Sequence, residues 1–295
     1  MKISIYDVTL RDGFQGLSKP IPTGAKVEVA GMLSNAGFPY IELGSFISPK
    51  AGQIFENLKD TAEVYRQAKR EEGVIYCALT PTIKYYGQAA KAGFDDVAVV
   101  ISANENHNKL NLGKSVAETI DDIGNIVSNA HSDNNYVRVY VSTAFGYKSP
   151  DDVPFCEVEN ILQDVMAKDM MHISGISIGD TTGLARYRRV ANDMATISRE
   201  HNTTTIGLHI HQSEPDIWKP NVISAVLCEG VDVFDASLCG LGGCPTDDGY
   251  MGNTPTEQLV DFLEANKIGT GLDVDKVHHA AEFLHGILKK EGLSE

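Results

Sequence analysis

Short runs rich in valine, isoleucine and tyrosine recur along this chain at intervals of roughly 25 to 40 residues. Eight of them predict strands: "KISIYDVT" from Lys2, "YIELGS" from Tyr40, "VIYCALT" from Val74, "DVAVVIS" from Asp96, "YVRVYVST" from Tyr136, "ISGISIG" from Ile173, "TIGLHIH" from Thr205 and "VDVFDASL" from Val231. Stretches of helical periodicity lie between them, among them Gly24 to Asn35, Leu58 to Glu71, Val116 to Ala130, Val158 to Asp169, Arg186 to Glu200 and Pro220 to Glu229. Many are entered through Thr, Ser, Asn, Asp or Pro, residues that satisfy or dispense with the first free amides of a helix. Eight alternations predict a (β/α)8 TIM barrel, because neighbouring parallel strands need such long crossovers. A doubly wound open sheet is the alternative, but "TLRDGFQG" after the first strand lacks the G-x-G-x-x-G phosphate cradle. The pattern therefore predicts one catalytic barrel over 1–295. Beyond Ala265 the segment "VDKVHHAAEFLHGILKK" adds C-terminal helices, expected to pack against the barrel or against another subunit, which leaves a homodimer open.

Composition narrows the class. With 295 residues and 42% hydrophobic content the chain can bury a large core. The opening "MKISIYDVTLRDG" places Asp7 inside a very short apolar run, so neither a secretory segment nor a membrane span is expected there. Five scattered cysteines suit a reducing compartment better than a disulfide framework, and the expected location is the cytoplasm. The net charge of -15 argues against nucleic acid as a partner. The one basic cluster, "RYRR" from Arg186, is expected on a solvated helix face.

Candidate chemistry gathers where a barrel needs it. Residues at the carboxyl ends of barrel strands converge on one face, and here those ends carry Arg11 and Asp12, Glu42 and Ser45, Thr80, Ser142 and Thr143, Asp180 and Thr181, His209 and His211, and Ser237. In "GLHIHQSEP" the two histidines are two apart, so on a strand they share one face and their rings could meet on one ion. Spacing alone permits chelation without requiring it. The surrounding carboxylates make an oxygen and nitrogen site for a divalent ion the favoured expectation.

Seven motifs in order, "DVTLRDGFQ" at Asp7, "YIELGSFISPK" at Tyr40, "LTPTIKYY" at Leu79, "VRVYVSTAFG" at Val137, "ISIGDTTG" at Ile176, "HIH" at His209 and "GLGGCPTDDGYMGNTPTE" at Gly240, resemble those of the 3-hydroxy-3-methylglutaryl-CoA lyase family. The resemblance spans 7 to 257 and extends to the wider DRE-TIM metallolyases, barrels that make or break carbon–carbon bonds beside a metal. It implies Asp12, His209, His211 and Asn253 as ligands of Mg2+ or Mn2+, an acyl-CoA or hydroxy-acid substrate, and a catalytic set of Arg11, Asp12, His209 and Cys244. Arg11 would hold the oxygen on which enolate charge develops, a task suited to a planar group that stays charged. Glu42 and Asp180 would orient Arg11 or the ligands from behind. Cys244, on a glycine loop, would move a proton, whereas Cys239 is expected to pack. Asp7 is open between a catalytic and a buried structural role.

The match departs from its family at the mouth. The family continues H-x-H-D, and here Gln212 stands in place of the aspartate. Asp247 and Asp248 occupy positions where small or aromatic residues are usual, and with Glu214 and Asp216 they would crowd carboxylates near an anionic ester. Lys19, Lys50, Lys84 and Lys148 lie in strand-end loops that could balance them. These departures keep two other expectations in view: the same chemistry on a different hydroxyacyl thioester or CoA-free acid, and a barrel retained without catalysis.

Overall fold

The structure, a computed structural model, describes residues 2–150, 152–202, 204–212, 216, 218–243 and 252–293. Eight parallel strands, β1 (Ser4–Asp7), β2 (Tyr40–Ser45), β3 (Ile75–Leu79), β4 (Asp96–Ser102), β5 (Tyr136–Ser142), β6 (Ile173–Asp180), β7 (Thr205–Gln212) and β8 (Val233–Ala236), pair in sequence order, and β8 closes onto β1. The predicted barrel is thus the observed fold. A short β9 (Gly252–Asn253) adds antiparallel to β7 and sets Asn253 opposite His211. The crossovers carry α1 (Thr23–Ala36), α2 (Thr61–Gln67), α3 (Ile83–Ala92), α4 (Glu105–Leu112), α5 (Val116–Asp133), α6 (Phe155–Asp169), α7 (Tyr187–Glu200) and α8 (Trp218–Leu227). Then follow α9 (Thr256–Ala265) and α10 (Val274–Glu291). Among the described residues no helix is long and apolar enough to cross a membrane.

Strand alternation divides the molecule into two interiors. Ile206, Leu208 and Ile210 of β7 join the large apolar core with Val190 and Met194 of α7, each such side chain stabilising the fold by ~1.5–3 kcal/mol on burial. The intervening Gly207, His209 and His211 point to the other face, into the barrel. There a smaller cluster of Tyr6, Val8, Cys77, Ala98, Tyr140 and Val233 surrounds buried polar groups. The C-terminal tail settles on the barrel: Val277, Ala280, Leu284 and Leu288 of α10 are buried in the same core as Val29 and Leu33 of α1.

Four details differ from the sequence pattern, each for a local reason. The first strand stops at Asp7, and Thr9–Gly13 forms a π-helical turn. Asp7 accepts hydrogen bonds from the Thr9 amide (3.0 Å) and hydroxyl (2.9 Å), and the Gly13 amide reaches back to the Val8 carbonyl (3.0 Å). That turn makes Asp7 a structural bracket and sets Arg11 and Asp12 side by side. The helix expected over Leu58 to Glu71 is shorter, because the Thr61 hydroxyl is tied to Leu58 and Ser45 carbonyls at the head of α2. The polar run "ENHNKLNL" does not announce a helix, yet α4 forms there, with the Asn104 side chain accepting from the Asn106 and His107 amides. Arg189 is not on a solvated face: it donates to the carbonyls of Ala144, Phe145, Pro150 and Val153, clamping the loop after β5.

Candidate active site

Arg11 and Asp12 leave the π-turn pointing into the mouth of the barrel, and both are buried. Arg11 Nε donates to Glu42 Oε2 at 2.7 Å, and Nη1 donates to Asp12 Oδ1. The guanidinium also lies 5.3 Å from the Tyr140 ring centre, and the Tyr140 hydroxyl donates to the same Glu42 oxygen at 3.2 Å. Burial raises the pKa of Glu42 against the opposing pull of Arg11. Asp12 behaves oppositely: burial disfavours its charge, but Arg11 and the two imidazoles hold it well below the usual carboxylate range.

His209 and His211 bring their Nε2 atoms to 2.8 Å, with Asp12 Oδ2 3.5 Å from His211 Nε2. Two imidazole lone pairs repel at that distance, so a positive centre, a proton or a metal ion, belongs with them. Asn253 donates through Nδ2 to Asp12 Oδ2 (2.7 Å) and to the Leu241 carbonyl (2.8 Å), while its Oδ1 is buried without a partner. Leaving a buried oxygen unpaired costs ~1–3 kcal/mol, which a cation at the site would offset. Gly242, at φ +135°, lets the loop close against this cluster: a Cβ there would fall 2.0 Å from Asn253 Nδ2. One atom each from Asp12, His209 and His211 lie within 4.8 Å of one another. The donor set of carboxylate, amide oxygen and two imidazoles fits a divalent ion of the Mg2+ or Mn2+ kind better than a soft one.

A second layer, unread in the sequence, stands behind His209. Asp235 Oδ2 lies 3.4 Å from His209 Nδ1 and accepts from the Ser177 hydroxyl at 2.6 Å, while Oδ1 accepts from Arg138 Nη2 at 2.7 Å. Burial opposes the Asp235 charge, yet Arg138 and then His209 lower its pKa. Arg138 in turn lies 4.0 Å from the Tyr6 ring centre. Asp180 takes a different place from Glu42. Its oxygens accept from the Leu184 and Ala185 amides (2.9 and 3.0 Å), which closes the turn after β6, and burial pushes its pKa up to about 6.

A cavity of about 360 Å³ opens from this cluster. Arg11, Asp12, Gln15, His209, His211 and Gly243 line one side; Ile47, Phe55, Leu58, Leu79, Leu110 and Leu112 line the other. Cys244, Glu214, Asp247 and Asp248 lie outside the described residues. Asp216 pairs with Lys219 at 2.7 Å, and Lys19 donates to the Glu291 carbonyl at 2.6 Å. The four described cysteines are unpaired. Cys239 is the packing residue its position suggested: its thiol is within 3.4 Å of the Ala281 carbonyl, and burial pushes its pKa up to about 12.

The chain matches the HMGL-like family model over residues 2–284. It is 34% identical over 283 residues to the hydroxymethylglutaryl-CoA lyase YngG of Bacillus subtilis, covering 96% of this chain and 92% of that one. The barrel superposes on the crystal structure of the Bacillus subtilis HMG-CoA lyase with a TM-score of 0.90 at 33% identity, covering 99% and 95% of the two chains. It superposes with a TM-score of 0.89 at 30% identity on an Acinetobacter baumannii HMG-CoA lyase in complex with coenzyme A and 3-methylmalate, covering 98% and 92%. On a match that runs nearly end to end, the protein belongs to the HMGL-like family of DRE-TIM carbon–carbon lyases.

Proposed function

We propose that this chain, acting as one catalytic domain, is a divalent-metal-dependent lyase that cleaves 3-hydroxy-3-methylglutaryl-CoA to acetyl-CoA and acetoacetate. The observation that carries the reading is the meeting of a buried Asp12–His209–His211 cluster with the fixed guanidinium of Arg11 at the wall of one cavity. Cleavage needs three things: removal of the proton from the 3-hydroxyl, acceptance of the C2–C3 electron pair by the thioester as an enolate, and a proton for C2. Asp12, His209, His211 and Asn253 are the proposed holders of the Mg2+ or Mn2+ ion, which when bound supplies Lewis-acid stabilisation of oxygen charge.

The proposed acceptor of the hydroxyl proton is the Asp12–His209 pair, and Asp235 stands behind His209, 3.4 Å from its Nδ1. Arg11, kept ionised by Glu42 and Asp12, faces the oxygen that gains charge as the bond breaks. Cys244 is the proposed donor to C2. The apolar side of the cavity shields the enolate from water, and its extent favours a second reading, a related ester with a C3 substituent larger than methyl. The scattered thiols suit a reducing compartment, and the cytoplasmic location proposed on that ground is tested by fractionation.

The deciding experiment is cleavage by purified protein with Mg2+ or Mn2+ across 3-hydroxy-3-alkylglutaryl-CoA esters and their CoA-free acids, read as acetyl-CoA from the esters or acetate from the acids, each with its 3-oxo acid. Turnover of the methyl ester above all others supports the first reading. Preference for a longer alkyl supports the second, and no release from any ester overturns both.

A further inference from the structure

The mouth lies at the carboxyl ends of the strands. At the opposite end of the barrel, where α5 runs into β5 and α6 into β6, three side chains outside the active site meet: His131 of α5, Asp169 of α6 and His172 of the Met170–His172 turn. One ligand atom from each lies within 4.8 Å of the others. The two rings stack with centres 4.4 Å apart and planes 17° from parallel, and Tyr136 continues the stack on His172 at 5.6 Å.

The hydrogen bonds around these rings determine their tautomers. His172 Nδ1 is 2.9 Å from the Asn135 carbonyl oxygen, which can only accept, so Nδ1 carries the proton. His131 Nδ1 is 2.6 Å from Asp169 Oδ2, and that carboxylate is held ionised by the contact, so this Nδ1 also donates. In both rings the proton on Nδ1 leaves Nε2 with its lone pair. A carboxylate behind one imidazole and a backbone carbonyl behind the other is the arrangement that orients metal-bound histidines. The other Asp169 oxygen takes the Met171 amide at 3.2 Å, which ties the carboxylate to the same turn.

We propose that His131 and His172 form a second cation site, for a borderline transition ion such as Zn2+, with Asp169 positioning His131. Two imidazoles without an oxygen ligand favour zinc-like ions over Mg2+, whereas the cluster in the barrel adds a carboxylate and an amide oxygen to its two imidazoles. Zinc–nitrogen bonds of about 2.0–2.1 Å place two tetrahedral ligand nitrogens ~3.4 Å apart, and in the structure the ring centres lie 4.4 Å apart. The remaining positions are open to water or to a donor from another molecule. An ion held there pins the end of α5 to the turn that enters β6, and binding to the folded state alone raises its melting temperature.

The test is calorimetric titration of Zn2+ into the whole chain. The His131→Ala and His172→Ala variants should each bind one Zn2+ fewer than the parent, with turnover on an accepted ester in Mg2+ unchanged. Asp169→Asn should keep the site but weaken it ~10–100-fold, the usual loss on removing a supporting carboxylate. In His209→Ala/His211→Ala protein, Zn2+ should still raise the melting temperature, and adding His131→Ala should abolish that rise. Unchanged zinc stoichiometry in both His131→Ala and His172→Ala overturns the proposal. If the double barrel variant does not fold, the stoichiometry of the single variants decides alone.

Discussion

The two walls of the active-site cavity are built on opposite plans. On one side β7 and the turn after β1 supply Arg11, Asp12, His209 and His211, with Asn253 of β9 bonded behind Asp12; none is more than 8% exposed, and nearly all are joined by hydrogen bonds or ion pairs. On the other, the segments after β2 and β4 and the last residue of β3 supply Ile47, Phe55, Leu58, Leu79, Leu110 and Leu112, and Leu110 is 59% exposed. A cross-bonded polar wall holds charges in place before substrate arrives, whereas an apolar wall sheds water and adapts to what it covers. Exclusion of water by the second wall strengthens every charge interaction made by the first. The contrast predicts that substitutions on the polar wall reduce turnover steeply and those on the apolar wall mainly shift binding.

The largest effects should come from the imidazoles. His209→Ala and His211→Ala are expected to stay folded, to lose their divalent ion by elemental analysis, and to fall to the turnover of chelator-treated parent. Full metal content in either variant would remove that residue from the ligand set. Next comes Arg11→Gln, which should keep its metal and lose ~10²–10³ in kcat, the usual scale for deleting a donor to a developing oxyanion. A loss confined to KM would instead make Arg11 a binding residue.

Much of this division was legible in the chain. The β-branched runs gave the barrel, and the strand ends gave Arg11, Asp12, Glu42 and the two histidines, because parallel topology forces those ends together. Hydrogen bonds between distant side chains were not legible. Arg138 in "YVRVYVST" reads as one polar residue in an apolar strand, yet the same alternation that sends Val137, Val139 and Val141 to the large core turns Arg138 and Tyr140 inward. Its partner Asp235 is 97 residues away, so no local pattern could pair them. The apolar wall was hidden for another reason: Leu110 and Leu112 ride on α4, which forms through an Asn104 cap in a polar segment. Asp180 shared its place at a strand end with the proposed metal ligands, but backbone amides claim its carboxylate.

A smaller loss is expected one layer behind the polar wall. Asp235→Asn withdraws the charge facing His209 Nδ1, and metal affinity should fall ~10–100-fold. The same change leaves the buried Arg138 without its counter-ion, a cost of roughly 3–5 kcal/mol that would lower the melting temperature by itself. Arg138→Met separates the two effects, since it breaks the ion pair but keeps the carboxylate beside His209. If Asp235 positions the histidine, both variants lose stability and only Asp235→Asn loses most of its metal affinity. Equal metal loss in the two would show that the pair acts through the fold alone.

The smallest effect belongs to the apolar wall. Leu110 lines the cavity but is well exposed, so replacing it with serine removes little buried surface and should leave the melting temperature near that of the parent. What it removes is apolar cover over a bound acyl chain. Methylene-sized changes in apolar pockets alter discrimination by ~1–3 kcal/mol, and an exposed edge should give the lower end of that range, about tenfold at most. The expected signature is a raised KM with kcat held, because the leucine touches substrate equally before and during bond cleavage. Esters with longer C3 substituents should suffer more than the methyl ester, as they reach further along this wall. A fall in kcat with KM unchanged would mean that Leu110 acts on the reacting bond, and the separation between a wall for charge and a wall for cover would fail at that position.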